Sequence, residues 1–397
     1  MLLYKDEETT TAIAGRRVYL FVAMSWRFRL IARYSVGKNK QPKQKMSLGR
    51  RIVRISLRSL SVLLAILFVI VVALCSIMWV LARGPSPTAQ QLFVKTVKET
   101  SAVGFLADMF LSEEEIESIM GGEEPVAEFY DMDVSLITPP APKPPAPDFE
   151  PTDEAVPVED NIDEEENDDG SGIELHHVVG SGYLGYMMIV HDPMRLFVAT
   201  PNSLGGWGMS LMDMVRNEGA AAGINGGGFY DPDGVGTGGI PDGLVIQNGQ
   251  LTWGAGGGYV NVIGFDADGI LHVGNMAPST AMNLNLQWAA SFGPTLISNG
   301  VAQNLQGSGI NPRTAIGQRA DGAVLMLVVE GRQIDSLGAT LSDLIEIFLN
   351  FGAVNAANLD GGSSSLMMLD GEIVNRSASV VGPRYLPTAF LVRDFEG

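Results

Sequence analysis

Apolar residues along the chain fall into three regimes. From Leu60 to Ala82 they run almost unbroken, 23 residues with Ser61 and Ser76 as the only hydroxyls and no charge, enough for a helix about 34 Å long. A run of that length predicts a transmembrane helix over 60–82. Between Ser86 and Met120 the apolar positions thin to Leu92, Val94, Val97, Phe105, Leu106, Met109, Phe110 and Ile116, which predicts one or two short helices within a helical stalk over 83–137. Beyond Ile173, short apolar runs alternate with turn pairs. Asn248-Gly249 separates Leu244-Val245-Ile246 from Leu251-Thr252-Trp253, and Asp268-Gly269 separates Ile263 and Phe265 from Ile270 to Val273, so both predict hairpins. Asn299-Gly300, Asp321-Gly322 and Asp370-Gly371 repeat the device. Together these turns predict an α+β domain over 173–397, of twisted, mostly antiparallel β-sheets with a few packed helices.

Two of those helices have start signals. Ser210 with Asp213 opens one carrying Leu211, Met214 and Val215 and stopped by Gly219; Thr340 with Asp343 opens another carrying Leu341, Leu344, Ile345 and Phe348, ending near Gly352. Each runs on into small residues, Ala220 to Ile224 and Ala353 to Ala357, which suit tightly packed strands. The first strand ends on Asn225-Gly226-Gly227 and the second on Asp360-Gly361-Gly362. A shared site at the two strand ends is the expectation.

Charge is divided as unevenly as hydrophobicity. Of 26 Lys and Arg, 14 precede residue 60, and the rest of the chain holds 12 basic against 42 acidic residues, a net −30. Such a balance excludes nucleic acid as the partner of the outer domain. Arg50, Arg51, Arg54 and Arg58 precede the apolar run, whereas only Arg83 follows it before Gly84, so residues 1–59 are expected in the cytoplasm and the C-terminus outside. Met46 opens a compact basic-then-apolar anchor and the 45 residues before it show no sustained periodicity, which fits translation starting at Met46. Residues 138–172, rich in proline and then in Asp and Glu, predict a solvated linker. Cys75, the only cysteine, lies in the apolar run, so the outer domain has neither disulfides nor a thiolate zinc site.

Several short signals carry little. Gly234-x-Gly236-x-x-Gly239 has dinucleotide-fingerprint spelling, but Pro241 follows where a helix is required. Asp231-Pro232-Asp233-Gly234 lacks the remaining ligands of a calcium loop and reads as a turn. The four histidines show no metal spacing, no cofactor is evident, and a divalent metal stays open. Asn375-Arg376-Ser377 is a glycosylation sequon wherever the host modifies exported proteins.

Four polar residues stand out against this background. Asp360 leaves an apolar strand for Gly361-Gly362-Ser363-Ser364, whose backbone amides suit an anion; bracing a turn is the plainer alternative. Asn225, beside Gly226, Gly227 and Phe229, offers an amide that donates and accepts, with a bare turn as its alternative. Arg313, followed by Thr314, presents a fork that matches phosphate, although a structural ion pair would use it equally. Glu330, followed by Gly331 and Arg332, adds a second carboxylate, as glycosidic cleavage requires.

In combination the motifs resemble the phosphodiester glycosidase family over roughly residues 186–392. The resemblance rests on His191-Asp192-Pro193, Ile224-Asn225-Gly226-Gly227, Asn311-Pro312-Arg313-Thr314-Ala315-Ile316-Gly317, Gly338-Ala339-Thr340-Leu341 and Asn358-Leu359-Asp360-Gly361-Gly362-Ser363-Ser364, in that order. This chain departs from the family in the extra glycine and Tyr230 of its Asn225 loop, and in Glu330 where Asp is usual. The resemblance implies hydrolysis of a sugar-1-phosphodiester, with a glycan or sugar-phosphate as partner. Asn225, Arg313, Asp360 and the glycine-serine turn would line the pocket. A glycan- or cell-wall-binding module without catalysis is the alternative, and the joint presence of two carboxylates and an arginine in glycine-flanked turns favours the enzyme.

Overall fold

The structure, a computed structural model, describes residues 48–100, 103–121, 130–140, 171–232, 236–254, 256–305, 308–379 and 382–394. Met46, where the sequence suggests a start, and most of the proline-rich and acidic stretch lie outside these residues. The chain divides into two units, 1–72 and 73–397. Leu48–Arg83 is one helix, longer than the apolar run alone predicts, and Ile55–Arg83 is long and apolar enough to cross a membrane.

In the second unit, three short helices follow, Pro87–Lys98, Phe105–Asp108 and Glu113–Met120, one more than the upper expectation. Ser86 and Ser112 cap the first and third, and Val94, Val97, Ala107, Leu111 and Ile116 bury a small core between them.

The C-terminal domain contains three antiparallel sheets of seven, five and five strands. All five dipeptide turns join paired strands, and their first residues Asn248, Asn299 and Asp370 adopt the positive φ that Asn and Asp tolerate best. The seven-stranded sheet runs in the order Ile173–Gly180, Tyr183–Val190, Val324–Val329, Arg313–Arg319, Ala353–Leu359, Thr295–Ser298 and Val301–Ala302. Its third strand, Val324–Val329, is apolar throughout because both faces are covered. Val324, Met326 and Val328 enter the main core, whereas Leu325, Leu327 and Val329 pack under the helix Leu341–Asn350. Gly317 lets that helix approach, since a Cβ there would lie 2.8 Å from the Phe348 ring.

Both helix starts behave as their sequence predicts, with one difference. Thr340 and Asp343 form the reciprocal capping box, but at Ser210 the Asp213 carboxylate accepts from the serine hydroxyl at 2.7 Å instead of from its backbone N–H. Residues 130–140, assigned by sequence partly to stalk and partly to linker, pack on the domain. Ile137 is buried, Met132 joins the main core, the Tyr130 hydroxyl meets His272 Nδ1 at 2.5 Å, and Thr138 N–H donates to the Ala320 carbonyl at 2.8 Å.

Candidate functional site

Two strands from different sheets end at one place. Ala220–Asn225, in a five-stranded sheet, delivers Asn225, and Ala353–Leu359, in the seven-stranded sheet, delivers Asp360. The Asn225 amide donates to the Asp360 carbonyl at 2.6 Å and accepts from the Thr314 hydroxyl at 2.8 Å and from Leu366 N–H at 3.1 Å. Asn225 and Thr314 are fully buried, so their polar groups weld the sheets together and do not face the cleft. Gly227 packs instead on the third sheet: a Cβ there would lie 2.6 Å from the Ser291 carbonyl oxygen. The analogous position at Gly226 abuts Thr388.

Beside the seam lies a cleft of about 670 Å³, lined by Asp360, Gly361, Gly362, Ser363, Ser364, Arg313, Arg332 and Phe229 from the predicted set. Asp360 is half-buried, and burial pushes its carboxyl up to about 7 against the opposing pull of the Ser364 hydrogen bond and the Arg384 charge. The glycine-serine turn is less open than its composition suggests. Gly362 N–H donates to the Pro312 carbonyl at 2.8 Å and Ser364 N–H to the Gly361 carbonyl at 3.1 Å, so those two amides are already engaged.

Arg313 is buried, with Nε on the Ala339 carbonyl at 3.2 Å and Nη2 on the Gly309 carbonyl at 2.7 Å and on Glu99 at 2.9 Å. Arg313 therefore holds the ion pair of its structural reading and also lines the cleft. Glu99, just past the helix Pro87–Lys98, also accepts from Gly309 N–H at 3.0 Å and from the Asn311 amide at 2.9 Å. Its carboxylate thus sits in a cradle of three donors. Arg332 stands nearby, its Nη2 3.1 Å from the Thr100 hydroxyl, and burial together with the Arg313 charge lowers its pKa.

Glu330 lies elsewhere. Its carboxylate accepts from Arg376 N–H at 2.6 Å, Nε at 2.8 Å and Nη2 at 2.6 Å, and it does not line the cleft. A further carboxylate there besides Asp360 and Glu99, Asp231, comes from the segment that reads as a turn. Asp231 accepts from Arg384 at 2.6 Å and from Gly236 N–H at 2.7 Å, and Arg384 lies 5.4 Å from the centre of the Phe229 ring. A weak signal pointed to this pair, since Asp231 closes the Asn225 loop and Arg384 is among the few cations of an acidic domain. Asn375 of the sequon is buried, and its amide bonds Met367 N–H and the Ser365 carbonyl, so no folded chain offers it for glycosylation. Among the described residues no group of three or more His, Cys, Asp or Glu is arranged to hold a metal.

A mixed helix-and-antiparallel-sheet domain thus gathers three arginines, Arg313, Arg332 and Arg384, and three carboxylates, Glu99, Asp231 and Asp360, around one cleft. Residues 218–393 of the C-terminal domain match the phosphodiester glycosidase family model. N-acetylglucosamine-1-phosphodiester alpha-N-acetylglucosaminidase of Mus musculus is 26% identical over 225 residues, 51% of this chain and 43% of that protein. A prophage-derived uncharacterized protein of Bacillus subtilis is 45% identical over 65 residues, 16% of this chain and 10% of that one. The chain thus spans less than half the length of these curated relatives. The solved catalytic domain of zebrafish N-acetylglucosamine-1-phosphodiester alpha-N-acetylglucosaminidase, described as auto-inhibited by its pro-peptide, aligns with TM-score 0.48 and 22% identity, covering 57% of this chain and 83% of that one.

Proposed function

We propose that the C-terminal domain, held outside the membrane by the helix ending at Arg83, hydrolyses a sugar-1-phosphodiester of a surface glycan or exopolysaccharide and releases the sugar. The observation that carries this reading is Asp360, a carboxyl raised to about 7 at the wall of a cleft that also holds Arg313, Arg332 and Arg384. Phosphate binds where arginine forks converge, and the Glu99 carboxylate shows by its three donors that an anion is stable there. The diester phosphate takes that position in place of Glu99.

The departing group in such a cleavage is a phosphate monoester, whose second pKa is about 6, so it leaves readily once arginines neutralise its charge. Attack of water on the sugar carbon is then the harder half of the reaction. A carboxylate whose conjugate acid lies near 7 is a stronger base than an ordinary one, and Asp360 accepts the proton from that water. Asp231 fixes Arg384, and its negative charge faces the cation-like sugar of the transition state. On the sugar side, Asn358 donates to the Gly293 carbonyl at 2.8 Å while its buried Oδ1 has no donor among the described residues, and a sugar hydroxyl supplies one.

The test is sugar release from a panel of sugar-1-phosphodiesters by the full chain in detergent. Asp360→Asn keeps the size but is no base, so turnover falls at least ~100-fold with the fold retained. Normal turnover per folded molecule would remove Asp360 from the reaction. Glycan binding without release from any diester would favour a non-catalytic module.

A further inference from the structure

Trp207, Tyr230 and Tyr385 are 73%, 59% and 52% exposed. Large aromatic side chains in water are expected to serve a contact when several share one patch. Their backbones are gathered around a single glycine-rich loop. Trp207 forms an antiparallel bridge with Gly238, and a Cβ on Gly238 would lie 2.0 Å from the Tyr385 carbonyl oxygen. Tyr230 N–H donates to the Ile240 carbonyl at 2.9 Å, and its own carbonyl oxygen is 2.7 Å from where a Gly236 Cβ would stand. Further bonds hold this platform: Gly205 N–H to the Gly239 carbonyl at 2.6 Å, Gly208 N–H to the Thr237 carbonyl at 3.0 Å, and a reciprocal pair between Met209 and Leu386 at 3.0 and 2.9 Å.

The patch continues from the cleft. Tyr230 lies between Phe229 and Asp231, Tyr385 follows Arg384, and all three of those neighbours line the cleft. The 2.6 Å ion pair between Arg384 and Asp231 ties the two loops that carry the tyrosines. Gly236, Gly238 and Gly239 carry no side chains, and the Thr237 hydroxyl between them turns back to the Gly206 carbonyl at 2.6 Å.

The geometry points to a second sugar subsite on this rim, in which Trp207, Tyr230 and Tyr385 receive neutral pyranose units of the glycan that carries the phosphodiester. This rests on the proposed phosphodiester glycosidase reading and narrows its substrate to an oligo- or polysaccharide. Pyranose rings present flat faces of C–H bonds that lie on aromatic rings, while the indole N–H and phenol hydroxyls reach sugar hydroxyls at the edges. A single-stranded nucleic acid would also stack on such rings, but a net −30 over the residues beyond 60 repels a polyanion. A short diester anion is tolerated because three arginines meet it locally.

The experiment compares two substrates on the full chain in detergent: a diester of a single sugar, and one whose sugar is extended by three neutral pyranoses. Trp207→Ala and Tyr385→Ala should each lower kcat/KM for the extended substrate by about tenfold, the size of one lost aromatic contact, and leave the single-sugar substrate within about twofold. Trp207→Phe should restore most of the loss. An equal fall on both substrates, or no fall on either, overturns the subsite. A binding arm is independent of catalysis: the full chain carrying Asp360→Asn is titrated with the neutral tetrasaccharide and tryptophan fluorescence is followed. Saturable binding that Trp207→Ala and Tyr385→Ala abolish supports the subsite even if no diester is hydrolysed. Absence of binding overturns it even if hydrolysis of the single-sugar diester is confirmed.

Discussion

At the scale of the residue, the proposed role of Asp360 ties chemistry to stability through one proton. Its carboxyl rises from an ordinary value near 3.8 to about 7, chiefly through burial. The folded chain therefore holds a proton that the unfolded chain has already released between about pH 4 and pH 7. Stability should be greatest below that window and fall as pH rises through it, by at most about 4 kcal/mol and, for a side chain still partly open to water, nearer 1 to 3 kcal/mol. Asp360→Asn has no proton to release, so thermal melts should show it gaining on wild type from pH 4 to pH 8. A base must be ionised to act, so wild-type kcat/KM should rise with pH and level off above about 7. A melting difference that does not change with pH would sink the burial argument, and a rate that falls through the same window would make Asp360 an acid instead.

Asp360 was legible because an isolated carboxylate between an apolar strand and paired glycines is conspicuous within seven residues. Glu330 looked equivalent by the same local signs, yet its charge is satisfied by Arg376, 46 residues further on. The Asp231–Arg384 pair spans 153 residues. Sequence periodicity carries no information about contacts at such separations, so the choice between carboxylates waits for the fold.

At the scale of the element, the turns and helix starts were readable because their causes are local. Asn-Gly and Asp-Gly pairs select positive φ, and Thr340 with Asp343 closes its box within one helical turn. The end of the helix Pro87–Lys98 was not readable, because Glu99 finds Arg313 across 214 residues. If the diester phosphate replaces Glu99, the two anions compete for Arg313, Asn311 and the Gly309 amide. Glu99→Gln keeps the shape and removes the charge, so KM for the diester should fall roughly tenfold, as for one lost charge-assisted bond, with kcat little changed. An unchanged KM would mean that the phosphate binds elsewhere, around Arg332 or Arg384.

At the scale of the whole molecule, composition separates the proline-rich and acidic stretch from what flanks it, yet both flanks belong to the same folded unit. Before it, residues 130–140 insert Met132 into the main core, bond Tyr130 to His272, and set Pro139 against Gly322. Earlier still, Thr96 accepts from Ile310 N–H at 3.0 Å and Glu99 pairs with Arg313. After it, Ile173–Gly180 forms the edge of the seven-stranded sheet. Cutting within 141–170 should therefore break the backbone without separating the parts. If the chain is oriented with its basic flank inside, protease added to intact cells should reach this charged segment. The nicked domain should then stay with the cells through its docked N-terminal segments, appear as two fragments only on a denaturing gel, and leave the membrane when denaturant is added. Release of the domain without denaturant would show that the docking is too weak to hold. Resistance of the segment until lysis would place the domain on the cytoplasmic side, and with it rule out a surface glycan as its substrate.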